Sequence, residues 1–276
     1  MKKILVPTDF SKNAFYALEN AFVLADQQPG TELVLFHNIT PFQQFVPNFW
    51  DNSYFLDYCK LKEQRLQKTI EEVKGEHDSY TKIATKAVYD VGNTVENIIN
   101  YCKTNKIDLI VSANTGNTAI KEITWGSIAM ALLGNADKPV LVFPHKASIQ
   151  KMFDNVLVAI DINYPLTPNF VHNFDAIFQE SNTKFKVVSI IQNDDELKIQ
   201  QFETDIRKKL KKYDMQFYYI KDEHVAKAIL QFAEDTQSEL ICLIGHQRNR
   251  FSKLFSGSTV NKIAPKINRP LLIIPE

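Results

Sequence analysis

The apolar positions of the chain fall into two alternating patterns. Short, mostly apolar runs, such as residues 33–36 and 107–113, are typical of strands that are buried on both faces. Between such runs, apolar residues recur at three- and four-residue spacing, as at Ala14, Leu18 and Ala21, and this spacing predicts amphipathic helices. Strands that alternate with helices predict a parallel sheet covered by helices, which is the α/β class.

Local signals place the individual elements. Ser11 is a predicted cap of the first helix, residues 61–73 predict a charged helix, and the sequence Gly-Asn-Thr at residues 92–94 is typical of a helix start. Further strands are predicted at residues 82–89, 185–191, 215–220 and 239–245.

The two halves of the chain begin and end with matching sequences. The run KILVPTD at residues 3–9 is echoed by NVLVAID at 155–161, and KPVLVFP at 138–144 is echoed by RPLLIIP at 269–275. An internal repeat of this kind indicates two copies of one structural unit. We therefore expect two tandem doubly wound, Rossmann-like domains, each with a five-stranded, mostly parallel sheet. The predicted domains are residues 1–147 and 148–276.

Composition narrows the range of functions. The chain has 32 Lys and Arg residues and 32 Asp and Glu residues, so it lacks the net positive charge that attracts nucleic acids and anionic lipids. Three widely spaced cysteines, Cys59, Cys102 and Cys242, fit neither a disulfide framework nor a zinc site. The N-terminal sequence reaches Pro7 and Asp9 before any apolar run of signal-peptide length. We expect a cytoplasmic protein whose partners include neither nucleic acid nor a membrane.

Two loops of the first half carry the candidate chemistry. Ligands of open α/β sheets bind beyond the carboxyl ends of the strands, and residues 7–9 (Pro-Thr-Asp) directly follow the first predicted strand. The second loop starts at residue 112 and continues to Gly126-Ser127, where a helix is predicted to begin. The unpaired backbone N–H groups at the start of a helix can bind a phosphate, and a neighbouring glycine lets the phosphate approach closely. The same residues also fit a simple helix cap and turn, and Asp9 fits a cap of the first helix.

These segments resemble the universal stress protein family. The resemblance is carried by ILVPTDFS at residues 4–11, by the strand that ends in Phe36-His37, by DLIV at 108–111 and by the later loop. It covers nearly the whole chain as two copies, and it implies the universal-stress-protein type of tandem fold. In tandem members of the family the two closing strands, here residues 140–143 and 271–274, pair to form an internal pseudo-dimer.

The spacing of the later loop is the most specific part of the resemblance. Nucleotide-binding members of the family carry Gly, two residues, Gly, nine residues, and then Gly followed by Ser or Thr. The first half has Ala113, two residues, Gly116, nine residues, and then Gly126-Ser127. It departs from the family pattern only in having Ala in place of the first Gly.

The resemblance implies a binding site for ATP or another adenine nucleotide, with or without Mg. Asp9 would bond the base or ribose region, and Asn38 would border the adenine. Residues 112–116 would pass the ribose and first phosphates, and the start of the following helix would take the distal phosphates. The implied site residues are Pro7, Thr8, Asp9, Asn38, Ser112, Ala113, Asn114, Gly116, Asn117, Gly126, Ser127 and Ile128.

The corresponding loop of the second half departs further from the family pattern. It reads Gly245, two residues, Arg248, eight residues, and then Gly257-Ser258, so the middle Gly is lost and the spacing is one residue short. Asp161 is retained between two isoleucines. We therefore expect a degenerate second site that serves a structural or partner-binding role, with Arg248 and its neighbours as an alternative anion contact.

Signals for catalysis and for metal binding are absent from the sequence. It contains no P-loop, no Gly-x-Ser-x-Gly elbow and no histidine pair at metal-ligand spacing. We expect no dedicated enzyme activity, and any ATP hydrolysis should be slow. The leading hypothesis is a stress-response module that binds ATP and acts through its conformation or an unknown protein partner.

Two other functions stay open, together with the oligomeric state. One is an interaction protein that binds no nucleotide, and the other is a slow ATPase or a protein that phosphorylates itself. A further homodimer is compatible with the sequence. An aromatic-rich segment at residues 41–58 fits a lid or partner site, and fits better a surface that packs on the other domain or on a second chain.

Overall fold

The structure is a computed structural model of the 276-residue chain. It describes residues 1–40, 53–114, 127–144, 147–151, 153–179, 181–193, 195–245, 263 and 267–276.

Strands and helices alternate along both halves of the chain. The strands are β1 (Lys3–Pro7), β2 (Glu32–Ile39), β3 (Ala84–Val91), β4 (Leu109–Ala113), β5 (Val140–Phe143), β6 (Asn155–Ala159), β7 (Lys184–Ile191), β8 (Met215–Lys221), β9 (Leu240–Gly245) and β10 (Leu271–Pro275). The described helices are α1 (Lys12–Asp26), α2 (Ser53–Lys74), α3 (Thr94–Asn105), α4 (Ser127–Asn135), α5 (Pro168–Phe178), α6 (Glu196–Lys209) and α7 (Val225–Asp235). This alternation confirms the predicted α/β class.

The ten strands of the described ranges belong to one continuous sheet with the order β3-β2-β1-β4-β5-β10-β9-β6-β7-β8. Neighbouring strands within each half are parallel, and each half has the same internal order. The two halves meet where β5 and β10 pair antiparallel, with Leu141 opposite Leu272. Every residue of both strands is buried, because both faces of the sheet are covered at this point. The expected pairing of the closing strands is therefore confirmed.

The two halves also share side-chain contacts on one face of the sheet. A single cluster of buried apolar residues includes Leu24 and Leu141 of the first half together with Ile177 and Leu272 of the second. Polar contacts cross the same boundary, since the Gln28 side-chain amide donates to the carbonyl oxygen of Ile177 at 3.0 Å. The halves therefore pack against each other, as the short junction predicted.

The two faces of the first-half sheet carry different helices. The core cluster on one face contains buried residues of α1 and of the C-terminal part of α2, and the cluster on the other face contains buried residues of α3 and α4. Within β1, successive side chains alternate between these clusters, because strand side chains point to opposite faces in turn.

The largest boundary difference is at α2, and the bounds of β2, β3 and β4 also differ from the predictions by two or three residues. Helix α2 begins at Ser53, well before the predicted start at residue 61, because its buried face also includes Phe55 and Cys59. Strand β3 begins at Ala84, because a turn of 3-10 helix precedes it and is closed by the Ile83 N–H donating to the carbonyl oxygen of Tyr80 at 3.1 Å.

The aromatic segment at residues 41–58 lies outside the described residues up to residue 52. From its described part, Phe55 packs in the first half against Ile39, Cys59 and Val91. The helices in the described ranges are all too short or too polar to cross a membrane.

Candidate functional site

A cavity of about 370 Å³ opens at the carboxyl edge of the first-half sheet, beyond β1, β2 and β4. The strand order reverses here, since β1 has β2 on one side and β4 on the other. Chain segments leaving neighbouring strands then diverge to opposite faces, which leaves a crevice. The predicted site residues that line this cavity are Pro7, Thr8, Asp9, Asn38, Ser112, Ala113 and Ile128.

The loop between β1 and α1 is held by its own polar side chains. The Thr8 hydroxyl oxygen accepts from the Phe10 N–H at 2.9 Å, and an Asp9 carboxylate oxygen accepts from the Ser11 N–H at 2.9 Å. Ser11 caps the helix, as predicted, by accepting from the Ala14 N–H at 3.2 Å. Asp9 is therefore not the helix cap, and its exposed side chain lies at the wall of the cavity.

Asn38 fastens β2 to the start of α3. Its amide nitrogen donates to the Gly92 carbonyl oxygen at 2.8 Å and to the Thr94 hydroxyl at 3.0 Å, and its amide oxygen accepts from Asn97 at 2.8 Å. These bonds explain why a polar residue lies near the end of β2. Asn38 therefore shapes the cavity wall chiefly by positioning α3.

The end of β4 contributes small and polar residues. Ser112 is buried and Ala113 is half-buried, and both line the cavity. Asn114 is 1% exposed, and neither polar atom of its side chain has a hydrogen-bond partner in the described part of the chain. A buried amide without a hydrogen-bond partner lowers the folding stability by about 1–3 kcal/mol, so a polar ligand that bonded to Asn114 would remove this cost.

Part of the predicted phosphate-binding loop falls outside the described residues. Gly116, Asn117 and Gly126 lie there, so their predicted role stays a prediction. Ser127 is the first residue of α4, as predicted, and Ile128 brings the first turn of this helix to the cavity.

Sequence reasoning missed His37 as a residue of the cavity wall. Its Nδ1–H donates to the Thr8 carbonyl oxygen at 2.8 Å, which joins the ends of β1 and β2. Burial lowers the pKa of the His37 imidazole below its ordinary 6.5, and this effect outweighs the bond to Thr8, which raises the pKa. The sequence did show that His37 directly follows the apolar run of β2. Only the strand order shows that this position lies next to the loop after β1.

The N-terminal turns of three helices border the cavity. Ser11 and Asn13 belong to the start of α1, Thr94 is the first residue of α3, and Ile128 lies in the first turn of α4. Each helix N-terminus carries roughly half a positive charge. None of the described lining residues is a lysine or arginine. A phosphate bound here would therefore be stabilised by helix ends and hydroxyl groups.

The equivalent Asp161 of the second half is enclosed. It is 3% exposed, and one carboxylate oxygen accepts from both the backbone and side-chain nitrogens of Asn163, at 2.9 and 2.7 Å. Asn163 is held in turn by Lys198. These bonds hold the Asp161 side chain inside the protein, whereas the Asp9 side chain is exposed to solvent.

Gly245 has a packing role in the second half. A Cβ at this position would lie 2.9 Å from the Ile273 side chain on the neighbouring strand. The remaining motif residues of this half, including Arg248 and Gly257-Ser258, lie outside the described residues. In the described part of the chain, no group of three or more His, Cys, Asp or Glu side chains is placed to hold a metal ion.

Comparison with known proteins assigns both halves to one family. The family model for the universal stress proteins matches residues 1–144 and 152–275. Universal stress protein MJ0531 of Methanocaldococcus jannaschii is 30% identical over 142 residues, which are 51% of this chain and 81% of that protein. Universal stress protein MJ0577 of the same organism is 29% identical over 166 residues, covering 53% of this chain and 97% of that protein.

A solved structure extends the similarity in fold to the whole chain. The crystal structure of a universal stress protein from Archaeoglobus fulgidus has a TM-score of 0.76 and covers 99% of this chain and 98% of its own. At 18% identity, this similarity concerns the fold alone.

Proposed function

The chain belongs to the universal stress protein family, and on that premise we propose that it is a cytoplasmic stress-response module that binds an adenine nucleotide, in the first place ATP. The nucleotide would bind in the first-half cavity, and the protein would act through its conformation or a protein partner. The observation that carries this proposal is a cavity at the strand-order reversal bordered by three helix N-termini.

The size and lining of the cavity support a nucleotide. Its volume of about 370 Å³ is within the range of small-molecule sites. Ala113 and Ile128, which are half-buried, offer apolar contact for a base. The Asp9 carboxylate is exposed at the wall and suits the hydroxyl groups of a ribose, which donate to it.

The helix ends support binding of the phosphates. Their combined field favours negative charge, and the Thr94 hydroxyl adds a hydrogen-bond donor. Mg, if present, would be bound mainly through the phosphates, as is usual for this ion.

The composition of the cavity supports binding without dedicated catalysis. Phosphoryl transfer is promoted by cations that stabilise the developing charge, and the described lining has no lysine or arginine. His37 is held by the Thr8 carbonyl through Nδ1, and burial lowers the pKa of its imidazole, which favours the neutral form. We propose that any turnover of ATP is slow and incidental.

Calorimetric titration with ATP tests the proposal. Purified protein, freed of nucleotide carried over from expression, is titrated with ATP in Mg and in EDTA. We expect one ATP per chain. Asp9→Asn should weaken binding about tenfold or more, because a hydrogen bond to a charged group is worth about 1.5–3 kcal/mol. The matched control Asp161→Asn, in the enclosed second-half position, should leave the affinity for ATP unchanged.

Two outcomes would contradict the proposal. If no heat is seen and saturating ATP does not raise the melting temperature, the protein does not bind ATP, and the interaction-protein hypothesis is favoured. If purified protein releases phosphate from ATP at each binding cycle, and Asp9→Asn abolishes that release, the protein is an ATPase.

A further inference from the structure

A second cavity, of about 400 Å³, lies on the other side of the loop between β1 and α1. Its lining includes the apolar side chains of Phe10 and Phe15 and the charged side chains of Arg65 and Lys68 from α2. The first-half cavity that is proposed for the nucleotide is bordered by α3 and α4. The second cavity lies between α1 and α2, on the opposite face of the sheet. The two cavities are therefore separate spaces that share the wall formed by Thr8 and Ser11.

The second cavity carries unpaired positive charge. In the described part of the chain, no carboxylate oxygen lies within 4.0 Å of a side-chain nitrogen of Arg65 or Lys68. A third cation, Lys62, lies close by, with Nζ 5.3 Å from the centre of the Phe10 ring. Glu72 is the single acid among the described lining residues. Two lining cations against one lining acid leave this cavity with an excess of positive charge.

Hydroxyl donors face the same space. Thr8 and Ser11 each accept a backbone N–H through the hydroxyl oxygen, at 2.9 Å from Phe10 and 3.2 Å from Ala14. A hydroxyl that accepts in this way keeps its own proton for another acceptor. An oxyanion in the cavity would therefore meet hydroxyl donors on one side and the α2 cations on the other.

The position of Phe10 is maintained at an energetic cost. Its φ of 64° is in the left-handed region, where a non-glycine residue costs about 1–3 kcal/mol. The centre of the Phe10 ring lies 4.5 Å from that of the His37 ring, and the Arg65 guanidinium lies over the Phe10 ring at 4.3 Å. The strained backbone thus places an aromatic ring beside a guanidinium that has no carboxylate partner among the described residues.

We propose that the second cavity binds a small molecule that carries a phosphate on a planar apolar body. Arg65 and Lys68 pair with the phosphate, and Arg65 is suited to do so with two parallel hydrogen bonds. The Thr8 and Ser11 hydroxyls donate to the remaining phosphate oxygens, and the planar body contacts Phe15 and the edge of the Phe10 ring. The volume is within the range that small-molecule sites have.

The test uses phenyl phosphate as the probe, with phenol as its uncharged counterpart. The intact chain is titrated in phosphate-free buffer, and the arginine Nε–H signals are followed by NMR, with Arg65 assigned from Arg65→Met. We expect saturable binding of phenyl phosphate that shifts the Arg65 signal, and much weaker binding of phenol. The double variant Arg65→Met, Lys68→Met should weaken binding about tenfold or more, since it removes charge-assisted hydrogen bonds.

The matched control is Arg207→Met. Arg207 lies on α6 with its guanidinium 4.6 Å from the centre of the Phe217 ring, so this change removes an arginine in a similar setting elsewhere. It should leave the affinity for phenyl phosphate unchanged. The proposal is overturned if phenyl phosphate does not bind, or if it binds equally well to the double variant. Neither result depends on ATP, so failure of the nucleotide proposal would be seen separately.

Discussion

Replacing Gly245 with Ala puts a methyl group where the second half has no room for one. The new Cβ would lie 2.9 Å from Cγ2 of Ile273 and 3.6 Å from the Ile274 carbonyl oxygen. Ordinary carbon–carbon contacts lie near 3.5–4.0 Å, and Ile273 is 3% exposed within the sheet core, so relief requires a shift of the backbone or of a packed side chain. Overpacking of this kind costs about 1–3 kcal/mol.

The branching of Ile273 itself shows how the clash can be relieved. The atom that the new methyl group meets is Cγ2, one of the two carbons attached to the branched Cβ of Ile273. Leucine has an unbranched Cβ and carries its branch one carbon further out. We therefore expect Ile273→Leu to restore much of the stability lost in Gly245→Ala.

Thermal unfolding measures the effect. For a chain of this size, 1 kcal/mol corresponds to about 2–4 °C in melting temperature, so Gly245→Ala should lower it by several degrees. Gly134→Ala is the matched control, because a Cβ at helical Gly134 meets nothing within 4 Å and should stabilise slightly. If Gly245→Ala is as stable as the wild type, or if Ile273→Leu does not rescue it, the packing argument is wrong.

Two further predictions concern the cavity wall. The pKa of His37 in the folded state is below its ordinary 6.5, so as the pH falls the unfolded state binds the proton first. The contribution of neutral His37 to stability should therefore be complete above pH 6.5. It should be lost as the pH falls towards the folded-state pKa. His37→Gln should therefore flatten the dependence of melting temperature on pH between about 7.5 and 5.5, and an unchanged dependence would contradict this. Asn38→Ala should cost about 1–3 kcal/mol in urea unfolding, because Gly92 and Asn97 lose their partners; equal stability would show that these bonds are replaced by water.

Elements with a strong local pattern were predictable from the sequence. The buried strands read as apolar runs, and Ser11 and Asn93 cap helices through contacts made within three residues. Where the local pattern was ambiguous, the predicted boundary was wrong. Leu56 and Leu61 are exposed on α2, so the apolar residues of this helix do not trace its buried face cleanly.

The candidate site was predictable only in part. The loop of Asp9 follows β1 directly, so its place at the carboxyl edge of the sheet comes from the local sequence. Thr94 and Ile98 reach the same cavity from α3, which is far along the chain. Their proximity depends on β1 lying between β2 and β4, and no local pattern states which strands are neighbours.

The sequence by itself determined the α/β class, the repeat, and the loops that carry the candidate chemistry, because these depend on residue spacing and backbone preference. Only the tertiary structure decided that Asp9 is exposed while Asp161 is enclosed by Asn163, although both follow equivalent strands. It also decided that the β1 loop separates two cavities. Burial, charge pairing and cavity shape arise from residues distant in sequence, and the packing of the sheet and helices brings them together.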